Sequence, residues 1–422
     1  MSESLGNGSP LVCVIGAGVS GLVSTKRLLD YGVDVDCFES GDRIGGTWAF
    51  RNSNGHSSAY RSLHIDTSKE RLSFADFPIS REYPDFPHHT QIKEYLEEYC
   101  AAFDLKRHIM FETAVEQCER LPAGGWEIRT SDGAVRLYDM LVVANGHHWD
   151  VRMPDFTGRF DGPQIHSHAY IDPVEPLDLR GKRVLVVGIG NSAADIVSEI
   201  SQRGHATKVF LSTRSGAYVI PKYLLGRPLD HLVRTIPQLP MQPQRKLLRL
   251  LQPIFWGRME RYGLPSPNHK FLDAHPTISS ELLVRFGSGD VIAKPDIAAL
   301  ERDRVVFVDG TAEHLDAIIY ATGYNITFPF FAPDFISAPD NVIRLYKRVF
   351  KPGIDDVAFI GFTQALPTLF PFIECQADLL ARYVAGIYRP PEDVEMEAVI
   401  TADDRRFTAH FYGSARHTQE HD

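Results

Sequence analysis

Two glycine-rich turns, about 170 residues apart, constrain this chain more than any other feature. The first reads VIGAGVSG and carries Gly16, Gly18 and Gly21. The second reads VVGIGNSA and carries Gly188, Gly190 and Ala193. Each follows an apolar run suited to a buried strand and opens a stretch that reads as a helix. In this pattern the first glycine permits a tight turn and the second lets a pyrophosphate approach the backbone. The third lets helix and strand pack closely, and the helix N-terminus attracts the anion. One such motif is a weak signal. Two in order predict an α/β chain with two Rossmann-like dinucleotide-binding domains, and electrons passing between the two dinucleotides.

The flanking residues distinguish the two copies. Residues 11–39 read as strand, turn, helix and strand, with Leu22, Thr25, Leu28 and Leu29 near one helical face. The second strand ends in Glu39, 23 residues after Gly16, where an acid would accept hydrogen bonds from a ribose diol. Residues 183–214 repeat this unit, with Asn191 and Ser192 opening the helix. Here the strand end carries Ser212, Thr213 and Arg214 in place of an acid. A carboxylate would repel a 2′-phosphate, whereas Arg binds it bidentately and hydroxyls can donate to it. That predicts NADPH over NADH; a solvated surface arginine is the plain alternative. The segment GDRIGGTW (41–48) places Gly45 and Gly46 ahead of Trp48. It reads as a loop against a flavin ring, or as an ordinary turn with a core tryptophan. A further echo links DMLVVANG (139–146) to DAIIYATG (316–323). Each reads as a strand ending beside a dinucleotide site. The second copy suggests a late return to the first domain, so that a flavin-type domain is interrupted by a nicotinamide-type insertion.

Composition excludes several classes. A chain of 422 residues holds two or three domains, and a net charge of −10 argues against general nucleic-acid or anionic-membrane binding. The five cysteines are odd in number and widely spaced, which does not describe a disulfide framework. Cys13 and Cys37 read as packing residues, and the lack of a CxxC pair removes a thioredoxin-reductase type of mechanism. No HExxH pattern appears, and no metal site is expected. The short polar N-terminus is not a secretory signal, and no apolar run is long enough for a membrane span, so a cytoplasmic protein is expected. Residues 91–103 have helical periodicity through Ile92, Tyr95, Leu96, Tyr99 and Phe103. WEIRT and AVRLYDMLVVANG read as strands around Asp132-Gly133. Residues 222–275 read as an irregular helical insertion over an active-site mouth or as a helical cap, and the tail GSARHTQEHD is expected to fray.

Between the fingerprints, FDGPQIHSHAY fits F-x-G-x-x-x-H-x-x-x-Y through Phe160, Gly162, His166 and Tyr170. This resembles the identifying motif of flavin-containing monooxygenases, class B flavoproteins. The resemblance extends through GAGVSG, GGTW, HIDTSKERLSFADFP, GIGNSAADI, ATGY and FIGFTQALPTLFPFIECQ. It implies FAD bound by residues 1–174 and roughly 291–422, and NADPH bound by roughly 175–290. It adds Arg43, His64, Val115 and Gln364 to the flavin contacts. It also implies a cycle in which NADPH reduces FAD, dioxygen adds to give a C4a-(hydro)peroxyflavin, and an amine or sulfide takes one oxygen atom. Baeyer–Villiger oxygenation of a ketone, an NADPH oxidase releasing hydrogen peroxide, and a nucleotide-bound sensor are the alternatives. Tyr170 weighs against the first, since Baeyer–Villiger relatives usually carry Trp there.

One departure stands out. Where many relatives have Asn, this chain has Asp66, which is expected to contact the flavin as a catalytic residue or to cap a helix at Thr67-Ser68-Lys69-Glu70. His166 and Tyr170 are expected to serve as a hinge or structural element. His88, His89, His147 and His148 read as surface or packing residues, as does His64 when the resemblance is set aside. Glu374 and Gln376 are expected to start the last helix near the flavin, or to cap it. A homodimer is expected from the family.

Overall fold

The computed structural model describes residues 9–234, 241–365, 368–410 and 420–421. Each fingerprint strand lies at the centre of its own five-stranded sheet. The first sheet runs Val357–Phe359, Met140–Val143, Leu11–Ile15, Asp34–Phe38, Ile109–Met110, and every pairing is parallel. The second runs Gln164–His166, Ala317–Tyr320, Arg183–Val187, Lys208–Ser212, Val291–Lys294, again parallel throughout. The central strands are apolar because a parallel sheet is covered on both faces. Val12, Cys13 and Val14 are fully buried, as are Val184, Leu185 and Val186. The helix Val19–Asp30 buries Leu22, Thr25 and Leu28 as the periodicity predicts, and packs along the helix Phe370–Val384.

The echo between 139–146 and 316–323 has a physical cause. Asp139 accepts the Leu11 N–H on its carboxylate at 2.8 Å and donates its own N–H to the Leu11 carbonyl at 2.9 Å. Asp316 makes the same pair of bonds to Arg183, both at 2.8 Å. At the other end, Ala144 N–H reaches Ile15 O at 3.0 Å and Ala321 N–H reaches Val187 O at 2.8 Å. Each copy is thus clamped beside its own fingerprint strand. The expected return to the first domain at 316–323 is corrected: that strand belongs to the second sheet.

The chain forms two compact units, Met1–Ala59 with Lys69–Asp150 and Asn325–Asp422, and Tyr60–Ser68 with Val151–Tyr324. Their limits differ from the expected 174/175 and 290/291. Strands at Gly158–Phe160 and Ile297–Arg302 pair with each other, and Gln164–His166 and Val291–Lys294 flank the second sheet. The first unit adds an antiparallel meander of Val115–Arg120, Trp126–Thr130 and Val135–Tyr138. Its core gathers Trp126, Phe328, Phe331 and Phe359.

The helix expected over 91–103 spans His89–Ala102. It starts early because the His88 ring accepts the Thr90 N–H while the Gln91 side chain accepts the His88 N–H at 3.0 Å. Four of the five cysteines are buried and Cys375 is exposed. The 222–275 region contains helices Leu229–Arg234 and Met241–Phe255, with Ile220, Trp256 and Phe271 as a small core. Residues 235–240 of that region, 366–367 of the FIGFTQ motif and most of the terminal tails lie outside the described residues. No described helix is long and apolar enough to cross a membrane. Among the described residues no group of three or more His, Cys, Asp or Glu side chains is placed to hold a metal ion.

Candidate functional site

In the first unit the glycines do what backbone geometry requires of them. Gly16 has φ +100°, and its N–H donates to the Phe38 carbonyl at 2.8 Å. A Cβ on Gly21 would lie 1.7 Å from the Gly16 carbonyl oxygen, so a side chain there would drive the helix off the strand. Gly18 and Gly46 face one another: a Cβ on Gly46 would sit 3.0 Å from Gly18 Cα. Gly45 N–H donates to the Ala17 carbonyl at 3.0 Å and locks the 41–48 loop to the fingerprint turn. The helix begins at Gly18 without a side-chain cap, which leaves its first N–H groups to an anion.

Glu39 is 4% exposed and ties this cradle together. Its Oε2 accepts the Ala17 N–H at 2.8 Å; its Oε1 accepts the Gly41 N–H at 2.7 Å and Asn54 Nδ2 at 3.1 Å. Burial pushes the carboxyl above its usual range, while the two backbone N–H groups pull it down. Each carboxylate oxygen has two lone pairs, so Oε2 keeps acceptor capacity for a diol. Arg43 is bound by Asp42 at 2.8 and 2.5 Å, and its guanidinium holds the Asp42 carboxyl down at about 2. Trp48 is half-buried at the end of the turn Gly46–Trp48. Val115, half-buried, packs against the unit's core. Gln364 begins the short strand Gln364–Ala365, and its side chain lies outside the described residues. Glu374 and Gln376 do not cap their helix. Glu374 accepts the Ala75 N–H and pairs with Arg27, and Gln376 accepts the Gly361 N–H at 3.1 Å.

The second unit repeats the turn. Gly188 has φ +124°, and its N–H donates to the Ser212 carbonyl at 2.8 Å as Gly16 does to Phe38. Gly190 starts the helix Asn191–Ile200 without a side-chain cap. Asn191 Oδ1 accepts the Ile278 N–H at 3.0 Å, and Ser192 is half-buried in the first turn. The hydrogen-bond register makes Thr213 the counterpart of Glu39. Ser212 is fully buried and donates to the Pro295 carbonyl at 2.6 Å, so its expected contact with a 2′-phosphate is corrected to a structural bond. Thr213 donates to the Ser215 carbonyl at 2.6 Å. Arg214 is exposed, with no ion-pair partner among the described residues.

His64 and Asp66 also belong to this second unit. His64 is exposed, with Nδ1 2.9 Å from the Ser62 carbonyl. Asp66 does not cap a helix. The helix is Lys69–Leu72, and Asp66 lies 3.1 Å from Lys222 Nζ. Burial pushes its carboxyl up, while Lys222 and His275 pull it down. The segment is clasped along its length. Tyr60 donates to Asp195, Arg61 Nε binds Asp172 at 2.8 Å, and Ser68 N–H donates to Asp230 at 2.8 Å.

The F-x-G-x-x-x-H-x-x-x-Y residues are buttresses of the same unit. A Cβ on Gly162 would meet the Phe160 ring at 2.5 Å, and Tyr170 donates to Glu199 at 2.8 Å. Burial holds His166 down at about 4, and its Nδ1 accepts the His168 N–H. Sequence reasoning missed Lys222, Asp195 and Tyr60. The one local hint was Asp195 and Glu199, one turn apart on the fingerprint helix.

Two fingerprint turns with uncapped helices, one beside a buried acid and the other beside an exposed arginine, define a protein with two dinucleotide-type folds. The family model described as flavin-binding monooxygenase-like matches residues 10–422, and the chain belongs to that family. It is 38% identical over 411 residues to dimethylaniline monooxygenase [N-oxide-forming] 2 of Rattus norvegicus, covering 92% of this chain and 76% of that protein. The solved S-allyl-L-cysteine S-oxygenase of Allium sativum is 25% identical with a TM-score of 0.71, over 98% of this chain and 85% of that one. Cyclohexanone monooxygenase, at 20% identity, shares the fold with a TM-score of 0.73 over 97% of this chain and 96% of that one. The family uses FAD and NADPH. The residues present fit both groups: the Gly18–Gly46 approach and Glu39 suit FAD, and Gly188, Gly190 and Arg214 suit NADPH.

Proposed function

We propose that this flavin monooxygenase transfers one oxygen atom from dioxygen to a soft nucleophile, an amine nitrogen or a sulfide sulfur. The observation that carries this reading is its 38% identity, across 92% of the chain, to an N-oxide-forming relative. FAD, reduced by NADPH, supplies the activation of dioxygen. The protein's part is to bind, orient and exclude. Gly16, Gly18, Gly21 and Gly46 admit the FAD pyrophosphate to the backbone, with the first helix turn donating to it. Glu39 accepts from the ribose diol. Arg43, Trp48, His64, Val115 and Gln364 complete the flavin contacts implied by the motif. Gly188, Gly190, Asn191 and Ser192 hold the NADPH pyrophosphate, and Arg214 its 2′-phosphate. The catalytic assignment of Asp66 rests on the motif it occupies. A nucleophilic substrate needs no protein base to activate it, so the polar groups here serve the cofactors and the proton balance around them.

The reading includes a cytoplasmic enzyme acting on a small molecule, with the net charge of −10 against an anionic partner, and a homodimer. It is tested by supplying NADPH and air with an N,N-dialkylaniline, a thioether or a cyclic ketone, and weighing product against hydrogen peroxide. N-oxide or sulfoxide formed in proportion to NADPH consumed is the expected result. Lactone in its place establishes the Baeyer–Villiger alternative. Stoichiometric peroxide with every substrate establishes an oxidase, and no NADPH consumption leaves a nucleotide sensor.

A further inference from the structure

Three separate stretches of the second unit contribute two carboxylates and one ammonium, all half-buried: Asp66, Asp195 and Lys222. Lys222 Nζ lies 3.1 Å from Asp66 Oδ1 and 3.4 Å from the Ile65 carbonyl. The Tyr60 hydroxyl donates to Asp195 Oδ2 on the fingerprint helix. One turn further along that helix, Glu199 accepts the Tyr170 hydroxyl at 2.8 Å. Asp66 and Asp195 repel each other, Glu199 adds to the negative field at Asp195, and His275 faces Asp66. With both aspartates ionised and Lys222 protonated, these three side chains sum to one negative charge. Partial burial and the mutual repulsion of the two carboxylates disfavour that net charge, and one added proton removes it. Its place follows from the partners. Asp66 has an ammonium at ion-pair distance, whereas Asp195 is hydrogen-bonded to a neutral phenol.

We propose that Asp195 is a positioning residue for Asp66: it carries the proton that balances this cluster and leaves Asp66 a carboxylate held by Lys222. The proposal rests on the reading of Asp66 as the catalytic residue of its motif. It also accounts for the Asp at a position where many relatives have Asn. An amide both donates and accepts; here the carboxylate accepts and the Lys222 ammonium donates, so the pair keeps both capacities. Burial and the Asp66 charge push the Asp195 carboxyl up to about 7. The proton is therefore held below neutral pH and released above it.

The test is a pH titration of holoenzyme labelled with γ-13C aspartate, followed by carbon NMR. One carboxyl resonance is expected to titrate near neutral pH, to be missing in Asp195→Asn, and to move to lower pH by about one unit or more in Asp66→Asn, where the like charge is gone. Lys222→Met should move it the other way. The absence of any aspartate titrating above about pH 6, or a midpoint unmoved in Asp66→Asn, would overturn the proposal. If Asp195→Asn does not fold, the Asp66→Asn shift decides. Peroxide release per NADPH is then compared at about pH 6 and pH 8 in wild type and Asp195→Asn. A pH-dependent leak in wild type that becomes flat in Asp195→Asn supports the positioning role; identical profiles overturn it. Unchanged turnover and leak in Asp66→Asn, beside a shifted resonance, would sink the catalytic reading of Asp66 and leave only the shared proton.

Discussion

Replacing Arg214 with alanine isolates the choice between NADPH and NADH. Three side chains at this strand end suggested a phosphate site, but two hydroxyls are already committed: Ser212 to the Pro295 carbonyl and Thr213 to the Ser215 carbonyl, each at 2.6 Å. Arg214 is exposed and has no ion-pair partner among the described residues, so it alone is free to take a 2′-phosphate. A charge-assisted hydrogen bond contributes about 1.5–3 kcal/mol, and exposure puts this one toward the lower end. A loss of about 1.5–2 kcal/mol is roughly a 10- to 30-fold fall in kcat/KM for NADPH. NADH, which has no 2′-phosphate, should change less than about twofold by the same accounting. The assay is anaerobic flavin reduction by each nucleotide, read at the flavin absorbance over a range of concentrations. Ser212→Ala is the control. It breaks a buried bond and should cost about 1–3 kcal/mol of stability with the NADPH-to-NADH ratio intact. An equal loss for both nucleotides in Arg214→Ala would refute the reasoning, as would a matching loss of preference in Ser212→Ala.

The two glycines of the first helix should fail differently. Gly21→Ala places a Cβ 1.7 Å from a backbone oxygen and should abolish folding of the first unit, whereas Gly18→Ala meets only ordinary contact at 3.5 Å and should give folded, colourless protein. Circular dichroism beside the flavin absorbance separates them. Glu39→Gln turns an NH2 group toward the Ala17 or Gly41 N–H; about 1.5–3 kcal/mol should be lost from the stability of the apoprotein, seen as a lower urea midpoint. An unchanged midpoint would mean that Glu39 does not hold the turn. Tyr170→Phe removes the bond to Glu199 and should lower stability by about 1–3 kcal/mol at nearly unchanged kcat. A collapse of kcat in a protein of normal stability would place Tyr170 in the chemistry instead.

What could be read from the sequence was local in cause. Gly21 is constrained by the Gly16 carbonyl one turn before it, and Glu39 by the Gly41 N–H two residues on and by the Ala17 N–H within the same strand–helix–strand unit. The apolar strands, the second fingerprint and the Asp139 and Asp316 echo follow from backbone rules that repeat wherever the unit repeats. Even so, the echo was assigned to the wrong sheet, because the letters show a clamp without showing which strand it grips.

What tertiary structure decided lies across long separations. By its neighbours the Ser212 hydroxyl is free beside Arg214; in the fold it donates its hydrogen bond to the carbonyl of Pro295, 83 residues on. Its neighbours make Asp66 a helix cap or a flavin contact; the fold gives it no helix to cap and brings Lys222, 156 residues away, to 3.1 Å from it. A side chain's charge and hydrogen bonds depend on every group that folding brings within a few ångströms. The sequence by itself could therefore determine two dinucleotide-type turns in two parallel sheets. Only the fold could decide which hydroxyls stay available and which charged side chains stand together.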